Sequence, residues 1–210
     1  MPRLRVHNLA MSLDGFAAGP DQDLDNPMGR RGQELHQFSF ATKAFGGAGA
    51  SEVDERFSTA AVEGIGATIM GRNMFGPVRG EWGDSDWTGW WGPEPPYHHP
   101  VFVLTHHAHD PIEMVGTTFH FVTDGIRSAY EEAFAAAEGQ DVRLGGGPGT
   151  IRQYVQAGLV DELHAVVVPI LLGAGERLFE PIGDQTQAFD AAEVVSSPES
   201  KVTHVRLVRR

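Results

Sequence analysis

Short apolar runs rich in β-branched residues alternate with helix-like patterns along this chain, and that alternation limits the fold more than any other feature. Strands are predicted over residues 4–9, 67–70, 101–104, 118–122, 142–144 and 163–170, and helices over 54–63, from about 126 and from about 150 to near 158. Such alternation is typical of an α/β domain with a largely parallel sheet. Residues 192–195 and 202–208 predict a closing antiparallel pair, and Asp124 is a candidate cap for the helix that starts near Ile126.

Length and charge narrow the possible partners. The 210 residues fit one domain over 1–210, and a net charge of −12 disfavours nucleic acid and anionic membranes as partners, although a small anionic ligand stays possible. The absence of cysteine excludes disulfides and thiolate chemistry. The longest apolar run, 165–172, is too short to span a bilayer, so we expect a cytoplasmic protein.

Two segments do not fit the alternating pattern. Residues 17–49 are rich in Gly, Asp and Pro, and residues 79–100 contain Trp82, Trp87, Trp90 and Trp91. Long loops in a compact domain are usually functional, so both are candidate walls or lids over a site. The tryptophans could stack on a flat ligand, or they could pack against the body or a partner subunit.

Three strand ends carry residues that suit a nucleotide. Gly145, Gly146 and Gly147 with Thr150 form a glycine-rich turn before a helix, which could hold a diphosphate or could be only a tight connection. Arg72, after Gly71, could bind a phosphate or could be a surface arginine. Because the carboxyl ends of parallel strands share one edge of a sheet, we expect these groups to lie together.

The third strand end contains Asp14, in the segment Ser12-Leu-Asp-Gly15. Its carboxylate could bind a heterocycle or supply a proton, but Asp-Gly is also ordinary turn chemistry. His98, His99, His106, His107 and His109 invite a metal hypothesis. Their spacing is not helical and they lack an adjacent carboxylate cluster, so we predict no metal.

Several short motifs occur in an order shared with a known superfamily. They are Asp14-Gly-Phe16, Met70-Gly-Arg72, Leu104-Thr-His106, Gly145-Gly-Gly147, Gly158-Leu-Val-Asp-Glu-Leu163 and Pro169-Ile-Leu-Leu-Gly-Ala-Gly175. With them the chain resembles the dihydrofolate reductase superfamily, in the branch typified by the C-terminal reductase domain of the bifunctional riboflavin-biosynthesis deaminase–reductase, here called RibD C-terminal-like. The resemblance covers nearly the whole chain and is most specific over residues 144–179.

The resemblance implies a dihydrofolate-reductase-like α/β fold: a central, mostly parallel twisted sheet with a C-terminal antiparallel hairpin and helices on both faces. It also implies NADPH across the strand ends and a homodimer. By motif, the cofactor-binding residues would be Ala17, Ala18, Gly71, Arg72, Asn73, Thr105, His106, Gly145, Gly146, Gly147 and Thr150. Arg72 would favour the 2′-phosphate.

For the substrate, Asp14 is the candidate catalytic residue, and Ser12, Phe16 and Asp25 are candidates for binding. Glu34 and Asp54 are alternatives to Asp25 as the acidic residue that holds a pterin ring in dihydrofolate reductases. The expected function is NADPH-dependent reduction of a small heterocyclic or ribosylamine-like substrate. A non-catalytic nucleotide-binding or regulatory protein on the same fold is one alternative, and a metal-assisted hydrolase is another.

Overall fold

The computed structural model describes residues 1–76, 79–83, 86–180 and 188–210. Within these residues the strands are β1 Leu4–Ser12, β2 Phe16–Ala18, β3 Ile65–Gly71, β4 Val101–Leu104, β5 Ile112–Met114, β6 Thr117–Val122, β7 Asp141–Gly146, β8 Glu162–Val168, β9 Glu176–Arg177, β10 Phe189–Ser196 and β11 Thr203–Arg209. The helices are α1 Gln37–Phe40, α2 Glu52–Ala60, α3 Arg72–Phe75, α4 Ile126–Ala136 and α5 Pro148–Gln156, with 3-10 turns at Gly32–His36 and Lys43–Phe45.

Nine of these strands form one sheet, in the order β10-β11-β8-β1-β7-β3-β4-β6-β5. The pairs within the central run from β8 to β6 are parallel. Strands β10 and β11 close one edge as an antiparallel pair beside β8, and β5 closes the other edge antiparallel to β6. The mostly parallel sheet with a C-terminal hairpin is therefore confirmed, while the short β2–β9 pair and β5 were not predicted.

One face of the sheet is an apolar core. Side chains of β1, β3 and β7 pack there against α4 and α5, whose Tyr154, Ile151, Ala129 and Ala133 are all fully buried. Helix α5 begins at Pro148, two residues before the predicted start, and Pro148 lies in its first turn, where a missing N–H costs nothing. Gly158 follows the helix with a φ of 68°, which suits a glycine at this position.

The opposite face, beneath α2, is polar although it is buried. His164 Nδ1 accepts from the Asn8 amide, His164 Nε2 lies 3.1 Å from His204 Nδ1, and His204 Nε2 lies 2.8 Å from Asp54 Oδ1. The second carboxylate oxygen of Asp54 accepts from Ser51 and Ser197. If each histidine carries its proton on Nε2, every bond in this series has one donor and one acceptor. We call these five side chains the Asp54 network; they are Ser51, Asp54, His164, Ser197 and His204.

The network explains why Asp54 is not free to hold a pterin ring: its side chain is 1% exposed and fully engaged. Burial lowers the pKa of His164 to about 3, and burial also lowers the pKa of His204 although Asp54 opposes that shift. Phe57 of α2 stacks on both rings at 4.3 Å between centroids, which excludes water from them.

Several local expectations need correction. Helix α4 has Gly125, not Asp124, at its N-cap position, and no side chain caps it. Strand β8 ends at Val168 rather than Ile170, because Pro169 offers no N–H to continue the ladder. Strands β1 and β10 run longer than predicted, and β1 crosses a bulge at Asn8, whose φ is 53°. The prediction of a single domain over 1–210 stays a prediction.

Candidate active site

Strands β3, β4 and β7 end side by side at one edge of the sheet. In the ladders Gly71 pairs with Leu104, and Met70 pairs with Gly146. The segments that follow these ends are α3, the residues from Thr105 onward, and α5. The strand ends that carry Gly71, Arg72 and the glycine-rich turn therefore lie together, as expected, and Thr105 follows the neighbouring strand end.

Arg72 is the most unusual residue at this edge. Its Nη1 donates to Thr105 Oγ1 at 3.2 Å, but its Nε and Nη2 are buried and have no hydrogen-bond partner among the described residues. Burial lowers the pKa of the guanidinium from its ordinary value, which still leaves an arginine charged at neutral pH. Two buried, charged donors without an acceptor are costly in a folded protein, and an anion would satisfy them.

Trp82 covers this guanidinium. The Arg72 carbon Cζ lies 3.0 Å from the centroid of the Trp82 ring, a close cation–π stack. The indole N–H of Trp82 donates to the His107 carbonyl at 2.8 Å, and His107 Nδ1 lies 3.1 Å from a Glu81 carboxylate oxygen. Trp82 therefore lies over the donors that an anion would need.

The other tryptophans pack against the body of the protein. Trp91 stacks on Phe119, with 5.8 Å between ring centroids. Trp87 donates its indole N–H to the Phe75 carbonyl, and its ring meets Trp90 edge-on. In residues 79–83 and 86–100, packing is thus the role that the contacts of Trp87, Trp90 and Trp91 favour.

The glycine-rich turn brings α5 close to the end of β3. A Cβ on Gly71 would collide with Thr150 Oγ1, so glycine is needed there for the approach of α5. Gly146 has a φ of 126°, and the peptide bond between Gly146 and Gly147 is cis. Gly147 is the N-cap of α5 and has open space where a side chain would be, so its backbone can be approached from outside.

At the end of β1, the polar groups are engaged within the protein. The Asp14 carboxylate accepts from the Leu172 and Gly173 amides at 3.0 and 2.8 Å. Hydrogen bonds from the Ser12 side chain and from these amides lower the pKa of Asp14 to about 2. An ionised carboxylate holding two amides favours the turn interpretation of Asp14 over a role as proton donor.

The neighbouring substrate candidates are also engaged. Ser12 is fully buried, and its hydroxyl accepts from the Phe16 amide at 3.0 Å. Phe16 is buried beneath Arg177, whose Cζ lies 4.2 Å from the ring centroid. Arg177 also donates to the Asp14 carbonyl, a contact that sequence reasoning missed because 163 residues separate the two.

The remaining candidates differ in exposure. Ala17 and Ala18 are buried in β2, whereas Asn73, His106 and Asp25 are exposed. Glu34, the other acidic alternative, is paired with Arg31 at the surface. Across the residues that the structure describes, no group of three or more His, Asp or Glu side chains could hold a metal ion, and no helix is long and apolar enough to cross a membrane.

Comparison with known proteins decides the family. The family model for the RibD C-terminal domain matches residues 5–203. The chain belongs to the RibD C-terminal domain family. A search of curated proteins found no match.

Solved structures share the fold of this RibD C-terminal domain protein. A putative riboflavin biosynthesis protein from a Shewanella species is 22% identical with a TM-score of 0.65, over 99% of both chains. A pyrimidine reductase-like protein from Corynebacterium diphtheriae is 15% identical with a TM-score of 0.59, over 100% of this chain and 92% of the other. RibD from Acinetobacter baumannii is 17% identical with a TM-score of 0.60, and the match spans 100% of this chain and 58% of that one.

Proposed function

We propose that this RibD C-terminal domain protein binds NADPH along the edge formed by β3, β4 and β7 and reduces a small heterocyclic or ribosylamine-like substrate, of the pterin or pyrimidine kind. The observation that carries the proposal is the pair of buried, unpartnered nitrogens on Arg72 beside a glycine-rich turn. The family membership and the pyrimidine reductase-like neighbour support a reductase.

The residues at this edge fit a dinucleotide. Arg72 offers a phosphate two donors that have no partner among the described residues, and Thr105 accepts a hydrogen bond from the same guanidinium. Gly147 presents an open backbone at the N-terminus of α5, where unpaired N–H groups favour a diphosphate. Asn73 and His106, both exposed, would complete the phosphate contacts, with Ala17 and Ala18 near the nicotinamide.

When bound, NADPH would supply the hydride. The protein's own work would be to align the reacting groups and to exclude water. Asp14 holds no proton at neutral pH, since its pKa is about 2. We therefore propose that the proton is taken from water and that Asp14 positions the loop after β8 through Leu172 and Gly173.

The test is oxidation of NADPH, followed by its absorbance, with a panel of reducible pyrimidine ribosylamines and dihydropterins. Turnover of a panel member by the wild type, retained in Asp14→Asn, is the expected result. A rate in Asp14→Asn that falls by 100-fold or more, an order-of-magnitude threshold typical of a lost acid–base group, would restore Asp14 as the proton donor. Tight NADPH binding without turnover of any panel member would instead support the non-catalytic nucleotide-binding alternative.

A further inference from the structure

A cavity that is open to solvent lies at the opposite end of the strands from the candidate active site. Its volume is about 300 Å³, and four arginines line it: Arg3, Arg5, Arg56 and Arg206. Residue 5 precedes Ser12, the end of β1, by seven positions, or about 20 Å of strand. The cavity is therefore separate from the candidate active site, and we call it the arginine cavity.

The arginines outnumber the carboxylates that face them. Glu162 Oε2 accepts from both Arg3 and Arg206, and Glu193 binds Arg56 through both oxygens while lying 3.8 Å from Arg206 Nε. Asp141 pairs with Arg3 and Arg5 from beside the cavity. Four cations share three anions, so one positive charge is left over in a chain whose net charge is −12.

The cavity also has a buried polar atom without a partner. His7 Nε2 lies 2.8 Å from Glu162 Oε1, and the Arg5 Nε and Nη2 donors also face it at 3.2 and 3.1 Å. His7 Nδ1 is buried without a partner among the described residues. The side chain of His7 is only 2% exposed, so bulk water does not satisfy it.

One wall of the cavity is apolar. Phe57 and Ala60 of α2 line it, and the Arg56 guanidinium lies 4.4 Å from the Phe57 ring centroid. The Phe57 ring is only 2% exposed, so Ala60 is the apolar residue that a ligand can reach. A ligand that matches this lining has an anionic end for the arginines, a hydroxyl for the buried His7 nitrogen and a small organic part for Ala60. The volume lies at the lower end of the range of small-molecule sites.

We propose that the arginine cavity binds a small phosphate monoester, with Arg56 and Arg206 as its phosphate ligands. Guanidinium forks match phosphate oxygens in two parallel hydrogen bonds. Glu193 occupies the same two arginines in this structure and therefore competes with the ligand. The organic group of the ester would lie against Ala60.

Isothermal titration calorimetry with phenyl phosphate, and with phenol as the uncharged control, tests the proposal. We expect one phenyl phosphate to bind per chain and phenol not to bind. Arg206→Gln should weaken binding about 10-fold, the size of a lost charge-assisted hydrogen bond. Glu193→Gln should tighten it several-fold, because it frees Arg56 and leaves Arg206 paired only with Glu162. Arg72→Ala should leave it unchanged.

Arg206→Gln and Glu193→Gln are expected to change the affinity for phenyl phosphate in opposite directions, and this distinguishes a ligand site from a set of ion pairs. If the cavity were only structural, Arg206→Gln and Glu193→Gln would both lower stability, and neither would change the binding of phenyl phosphate. Lack of binding to the wild type, or binding that Arg72→Ala abolishes while Arg206→Gln does not, would overturn the proposal. These outcomes leave the proposed binding of NADPH untouched, because that binding is tested separately with Arg72→Ala.

Discussion

Two buried polar regions of this protein differ in whether their hydrogen bonds are complete. In the Asp54 network, each nitrogen and carboxylate oxygen of Asp54, His164 and His204 has a partner within 3.2 Å. At the edge formed by β3, β4 and β7, two buried nitrogens of Arg72 have no partner among the described residues. A completed network stabilises the fold, whereas an incomplete one indicates a missing ligand. Residue burial alone does not separate the two.

The largest expected effect comes from breaking the completed network. Asp54→Ala should lower the free energy of unfolding by about 3–5 kcal/mol, because it leaves His204 and two buried serines without their acceptor. Urea denaturation measures this change. Asp25→Ala, at an exposed aspartate, is the matched control and should stay within about 0.5 kcal/mol of the wild type. A similar loss for both variants would contradict the distinction.

Three buried histidines, two of them in the Asp54 network, predict how stability depends on pH. The folded-state pKa values of His7, His164 and His204 are lowered, so below pH 6.5 the unfolded chain binds more protons than the folded one. The contribution of these histidines to stability is therefore fully present above pH 6.5 and is lost as the pH falls through their lowered pKa values, which for His164 is about 3. The expected loss is roughly 1 kcal/mol per buried histidine for each pH unit. Unfolding free energies that are flat between pH 7 and pH 5 would contradict it.

At the active-site edge, two glycines should respond differently to a methyl group. Gly71→Ala drives a Cβ into Thr150 Oγ1 and should cost about 1–3 kcal/mol of stability, which Thr150→Ala should partly restore. Gly147→Ala places its Cβ in open space at a φ of −74°, so it should hardly change stability. The added methyl group should nevertheless weaken the binding of NADPH. Calorimetric binding and thermal unfolding of both variants measure this contrast. Equal effects on NADPH and stability in the two variants would count against a ligand at the turn.

Removing the Trp82 ring that covers Arg72 should have a smaller effect on NADPH binding. Trp82→Ala exposes the two Arg72 nitrogens, and we expect it to tighten NADPH binding several-fold without changing the affinity for NADH. Trp91→Ala, which removes a ring stacked on Phe119, is the control and should change neither affinity. If both variants shift NADPH and NADH alike, Trp82 acts only through packing.

The sequence predicted the mostly parallel sheet and the strand ends that carry Arg72 and the glycine-rich turn. It did not predict contacts between residues that are far apart in the chain. Apolar runs such as 101–104 matched their strand at both ends, since both faces of that strand are covered and its pattern is unambiguous. The meeting of Arg72 with the glycine-rich turn followed from the rule on parallel strand ends, and Thr105 was expected there from the resemblance. The cover by Trp82 did not, because a loop of Gly and Pro has no periodicity that fixes which ring reaches which strand.

The hydrogen bonds of Asp14, just after β1, show the same limit of sequence reasoning. Asp14 stood as a candidate catalytic residue because of its place after a strand, but its partners, Leu172 and Gly173, lie 158 and 159 residues away. The same holds for Asp54, whose partner His204 is 150 residues away. A single sequence shows which residue types are present and does not show which hydrogen bonds they make.

The central claim is that Arg72 is an incomplete phosphate site, and the dissociation constants of NADPH and NADH for wild type and Arg72→Ala test it most directly. The account predicts that Arg72→Ala weakens NADPH about 10- to 100-fold, as expected for lost charge-assisted hydrogen bonds, and changes NADH far less. Equal losses for both nucleotides, or no binding of NADPH to the wild type, would contradict it.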